Sequence, residues 1–217
     1  MGHSDTIRLL LERRACVNWQ SDRGTTLWYA AFMGHPRLVS ELVVLRADVN
    51  LASPGGSTPV YVAAQENKVD ALLKLVELGA SIDQYRENDG AVKEIKNHCV
   101  FQRPSLFGPA SVTPLAVAVR ENHEHIVRLL LHLGARMRWV HPEHGNVHFG
   151  LFYPAGPVRN LCKSLIERGG DLDTDESRKR RAGMLLEEGW RDPREPNKKA
   201  PKGKRYCVET GEWVSSA

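Results

Sequence analysis

Between residues 25 and 83 apolar positions fall into blocks that recur along the chain. Written above one another, "TTLWYAAFMGHPRLVSELVVLRADVN" (25–50) and "TPVYVAAQENKVDALLKLVELGASID" (58–83) superpose with a constant offset of 33 residues. Ala30-Ala31 falls on Ala63-Ala64, Ala47 on Ala80 and Asn50 on Asp83. A third copy, "TPLAVAVRENHEHIVRLLLHLGARMR" (113–138), keeps the same internal spacing after an offset of 55. Each block opens with a short segment built around a small pair, which predicts a helix that another helix can approach closely. The second segment carries the stripes Leu38/Leu42/Leu45, Val69/Leu72/Leu73/Val76 and Ile126/Leu129/Leu130/Leu133, the helical spacing that lays one face on a neighbour.

The polar positions punctuate these helices. Thr25, Thr58 and Thr113 stand where a hydroxyl can cap the first helix, and Pro59 and Pro114 follow where a missing N–H is harmless. Gly34, Asn67 and Asn122 share the next turn, suited to a left-handed residue. Gly79 and Gly134 close the second helix. Arg14 and Arg46 stand in that closing place in their copies, where a left-handed conformation costs about 1 kcal/mol.

These positions resemble the ankyrin repeat, whose pattern is T-P-L-H-x-A-A, then G-H, then an apolar helix ending G-A-D-V-N. The resemblance implies an all-α ankyrin-repeat solenoid of stacked helix-turn-helix units with finger loops. A partial repeat (2–18) begins mid-pattern, so another segment is expected to cover Ile7, Leu10 and Leu11 unless the chain is truncated. Repeats 19–50, 51–83 and 106–138 follow, then a degenerate one at 139–173, whose second helix reads from "VRNLCKSLIERGGDLD". The loop insertion 84–112 extends one finger, with Phe101 and Phe107 pinning it or meeting a ligand. The histidine of T-P-L-H is Trp28, Tyr61 and Ala116 here, so the pattern's Thr–His link is absent.

Ankyrin proteins commonly bind protein partners on their concave face. Carried over by position, the binding residues are Phe32, Met33, Gln65, Glu66, Arg120 and Glu121 on the first helices, with Arg23, Ser57, Tyr85 and Arg86 on the fingers. Phe32 and Met33 read equally as interface anchors or as packing against Trp28 or a long neighbouring loop. The implied function is a non-enzymatic, monomeric scaffold for a partner protein, using no cofactor and no metal. The alternative is a regulatory or targeting module of an enzyme complex.

Charge changes the picture at one end only. Residues 178–205 carry eleven Lys or Arg against four acids, while the rest is near neutral. A basic flexible C-terminal tail is therefore expected, with 174–204 as a linker. Its clusters, Arg178, Lys179, Arg180 and Arg181, then Lys198, Lys199, Lys202, Lys204 and Arg205, resemble a bipartite nuclear-import signal. Nucleic-acid binding there would be non-specific and salt-sensitive, and a solvated linker is preferred. No stretch of 18 apolar residues is present, the opening residues lack the apolar run of a secretory leader, and the expected location is cytoplasmic or nuclear. The four cysteines show no C-x-x-C spacing and read as free thiols.

Four histidine or terminal patterns remain. His123 and His125 flank Glu124, but residues two apart on a helix face different ways, which argues against a shared metal. "HPEHGNVH" (141–148) has H-x2-H-x3-H spacing without further ligands and falls where a finger belongs. "MGHSDT" fits a myristoylation pattern that the repeat itself already explains. Finally, 205–217 alternates as a β-hairpin around Glu209-Thr210-Gly211 and, with "LEEGW", loosely resembles a WW domain lacking its closing proline, a resemblance that would imply a proline-peptide site at Tyr206 and Trp213.

Overall fold

A computed structural model describes residues 15–84, 113–141, 145–148, 156–169, 174–187, 190, 192–194, 204–207 and 212–215. The insertion's Phe101 and Phe107, Tyr85 and Arg86, and Lys198, Lys199 and Lys202 lie outside them. The chain divides into two compact units, Met1–Pro114 and Leu115–Ala217.

In the first unit, helices α1 (Thr26–Met33), α2 (Pro36–Val44), α3 (Pro59–Gln65) and α4 (Val69–Glu77) form two antiparallel pairs. The first helices α1 and α3 pack together, as do the second helices α2 and α4. Ala30, Ala31, Ala63 and Ala64 are all buried, so small side chains at these positions set how closely the pairs approach. Leu42, Leu72 and Leu75 fill the layer between the second helices; α2 buries Val39 together with Leu42, while the expected Leu38 is half-buried.

The punctuation works as its residue types dictate. Thr25 Oγ1 accepts the Trp28 N–H at 3.1 Å, and Thr58 Oγ1 accepts that of Tyr61 at 3.2 Å. Left-handed residues end the first helices at Gly34 (φ 76°), Asn67 (φ 56°) and Asn122 (φ 59°). Arg46 (φ 71°) ends α2 in the same conformation without glycine's freedom. Adjacent repeats are sewn together by asparagines: Asn18 Oδ1 accepts from Asp48 N–H and Asn50 Oδ1 from Ser81 N–H, each at 2.8 Å. Gln20 adds a 2.7 Å bond to the Ala52 carbonyl.

The second unit holds α5 (Pro114–Arg120), α6 (Glu124–His132), α7 (Pro157–Gly169) and α8 (Asp175–Glu187). Two short antiparallel ribbons join them, β1 (Arg138–His141) with β2 (Gly145–His148), and β3 (Lys204–Cys207) with β4 (Glu212–Ser215). The second ribbon occupies the stretch expected to turn at Glu209-Thr210-Gly211, with Tyr206 opposite Trp213. In the first, His141 pairs with Gly145 and His148 with Arg138, so these histidines stand three rungs apart, about 10 Å along the ribbon. His123 is the N-cap residue of α6, and His125 is exposed on its first turn.

Helix α8 departs from the expectation of a flexible linker over 174–204. Thr174 Oγ1 accepts the Ser177 N–H at 3.2 Å, and Asp175 and Glu176 place acid where the helix dipole favours it. Arg178 pairs with Asp175 and Arg180 with Glu176, each about one turn away. The helix packs against both α6 and α7 and buries Ser177, Arg181, Gly183 and Leu185. A cationic run that looks solvated in one dimension thus has one side turned inward. Cys162 of α7 is buried, which pushes its thiol up to about 12 and makes it unreactive.

Two substitutions test this packing. Arg46→Gly should raise stability by about 1 kcal/mol, read as a higher urea midpoint with unchanged slope. Leu72→Ala, at a fully buried position, should lower it by about 2–5 kcal/mol in the same titration.

Candidate functional site

The expected binding residues of the first unit gather around α1. Because Ala30 and Ala31 turn inward, the larger residues Trp28, Phe32 and Met33 occupy other sides of the helix. The Trp28 indole stacks on Phe32, with ring centroids 5.5 Å apart and planes within 10°, and meets Tyr29 edge-on at 5.2 Å. Its Nε1–H donates to Ser57 Oγ at 3.0 Å on the next finger. Ser57 is itself fixed by Ser53, whose hydroxyl lies 2.8 Å away and whose N–H donates to the Ser57 carbonyl at 2.9 Å. Trp28 thus supplies a cross-repeat bond from the position where the ankyrin pattern has histidine.

Phe32 and Met33 differ in exposure. Phe32 is half-buried under Trp28, whereas Met33 is 57% exposed. Arg23 is exposed on the finger preceding α1. Gln65 and Glu66 end α3, half-buried, with Gln65 Nε2 donating to Glu66 Oε1 at 3.2 Å. Arg120 and Glu121 end α5 in the second unit, joined by a 2.8 Å Nε–H···Oε1 bond.

Trp19, 66% exposed on the same finger as Arg23, was not selected by the repeat alignment. Its signal was simply a large aromatic in an otherwise polar turn. Among the described residues, Val44, 77% exposed at the end of α2, is another large apolar side chain left outside.

The basic segment is organised differently from the expectation. Arg181 is only 2% exposed. Arg178 Nη1 donates to the Gly134 carbonyl at 3.4 Å, while Lys179 and Arg180 face outward. Beyond α8 the chain returns to α6: the Trp190 N–H donates to the Leu185 carbonyl at 3.0 Å, and its ring lies 4.9 Å from that of His132. His132 Nε2 is 3.0 Å from Asp192 Oδ2, and Arg194 holds the same carboxylate through Nη2 at 2.6 Å and Nε at 3.0 Å. Burial alone would raise the Asp192 carboxyl, but hydrogen bonds and charge from Arg194, with His132, outweigh it and hold the group below its ordinary value. The His132–Asp192 contact was not legible from spacing, because the two residues are 60 apart.

Among the described residues no helix is long and apolar enough to cross a membrane, and no group of three His, Cys, Asp or Glu side chains is placed to hold a metal ion.

A family model described as ankyrin repeats in three copies matches residues 1–86, and a single ankyrin repeat matches 112–139, together about half of the chain. Among curated proteins, the chain is 27% identical over 144 residues to the probable E3 ubiquitin-protein ligase XBOS32 of Oryza sativa subsp. japonica, covering 62% of this chain and 29% of that protein. It is 28% identical over 160 residues to the ankyrin repeat and KH domain-containing protein mask-1 of Caenorhabditis elegans, 74% of this chain and 5% of that one. It is 30% identical over 119 residues to mouse ankyrin repeat and SOCS box protein 11, 54% of this chain and 29% of that protein. The chain therefore spans less than a third of the length of each of these relatives.

Two measurements follow from the geometry. Trp28→Phe and Ser57→Ala should each cost about 1 kcal/mol, and the double variant clearly less than their sum, because both remove one shared bond. Asp192, whose folded carboxyl is depressed, adds stability above the ordinary carboxylate range and loses it as pH falls through the folded value. Asp192→Asn should therefore melt lower than wild type at pH 7, with the gap closing on acidification through that range.

Proposed function

The chain belongs to the ankyrin-repeat family, a protein-interaction module, and from that premise we propose that it binds a partner protein through the face built on α1, α3 and their fingers. The observation that carries the reading is the exposed Met33 beside a Phe32 already stacked on Trp28. The aromatic, already held by its stack, costs little ordering entropy on binding, and the open methionine adds apolar area for a partner to bury. Arg23 and Trp19 extend this surface along the finger, and Ser57, Gln65 and Glu66 give it a polar margin. The role is non-enzymatic: the surface orients a partner and performs no bond chemistry. It works as a monomer in the cytoplasm or nucleus.

A second reading rests on the relatives' lengths and names. The chain matches a minor part of proteins named as E3 ubiquitin-protein ligases. It would then serve as the targeting part of an enzyme complex whose catalysis lies elsewhere.

Affinity capture followed by mass spectrometry identifies the partner, and titration with that purified partner tests the face. Met33→Ala and Phe32→Ala should each weaken binding about tenfold or more, matching hot-spot behaviour. Unchanged affinity in both would move the interface away from α1.

A further inference from the structure

The cationic run Arg178–Arg181 was expected within a solvated linker, yet α8 engages three of its four side chains. Arg178 is held by Asp175 and the Gly134 carbonyl, Arg180 by Glu176, and Arg181 is buried. A receptor reading four cations on an extended chain cannot do so while this helix is docked. The docking itself is lightly built. The buried positions of α8 are Ser177, Arg181, Gly183 and Leu185, so a single large aliphatic side chain is fully withdrawn from water along this helix. Burying Arg181 and Ser177 contributes far less than burying leucines in their places. What closes the arm is the clasp at its end, Trp190 against His132 and Asp192 between His132 and Arg194. Elements with so little apolar burial belong to the parts of a fold that open locally first.

We propose that helix α8 and the clasp residues Trp190, Asp192 and Arg194 form a releasable cover: docked, they cap α6 and withhold the basic cluster; undocked, they present Arg178–Arg181 to an acidic groove on a partner protein. An extended four-cation segment without interleaved aromatic residues suits carboxylates lining a peptide groove better than stacked bases. Apparent affinity for such a partner is reduced by the fraction of molecules that are undocked, so loosening the clasp raises it without adding any contact.

The test uses full-length chain and polyglutamate as the acidic probe. Trypsin should cut wild type within 178–181 slowly, and Trp190→Ala about tenfold faster, with polyglutamate affinity rising by about the same factor. Asp192→Asn, a gentler opening, should shift both readouts the same way by less, and it serves if Trp190→Ala loses its helical circular dichroism. Adding Lys179→Gln and Arg180→Gln to the opened variant should abolish the gain. Equal cleavage and equal affinity in wild type and both clasp variants would overturn the cover. A single-stranded oligonucleotide bound tighter than polyglutamate by the opened variant would overturn the protein groove.

Discussion

A helix pair of seven and nine residues has too little interior to stand alone; every such pair here exists because a neighbour buries what it cannot. The condition for that is close approach, and close approach depends on Ala30, Ala31, Ala63 and Ala64. A larger residue at any of them would hold α1 and α3 apart and open the leucine layer between α2 and α4. The rest of the first unit follows from this spacing: fingers brought within reach of one another, asparagines that bridge from one turn to the next, and one side of α1 left for larger groups.

Helices and turns were written plainly in the sequence because they depend on local rules. Threonine caps, the left-handed positions at Gly34, Asn67 and Asn122, and the costly Arg46 all came from residue type and spacing, and each occupies the expected conformation. The alignment placed Phe32 and Met33 at the right helix end but could not choose between packing and exposure. That choice depends on a tryptophan stack and on a serine 29 residues from Trp28.

The C-terminal segment was misjudged for a related reason. A charge run is scored by composition, whereas helix α8 is decided by an aspartate and a glutamate after a threonine cap, by acid–base pairs one turn apart, and by which residue faces inward. The start "TDES" and the apolar "MLL" were visible signals of a helix. The burial of Arg181 and the return of Trp190 to His132 were not, because they depend on where α6 lies.

The tryptophan at position 28 also sets how the joint responds to acidity. An imidazole in that place would change charge near neutrality and alter its bond with every shift in proton concentration. The indole N–H facing Ser57 has no such transition, and the hydroxyl that receives it has none either. The seam between these two repeats is therefore chemically indifferent to the mildly acid conditions in which a histidine-built seam would begin to titrate.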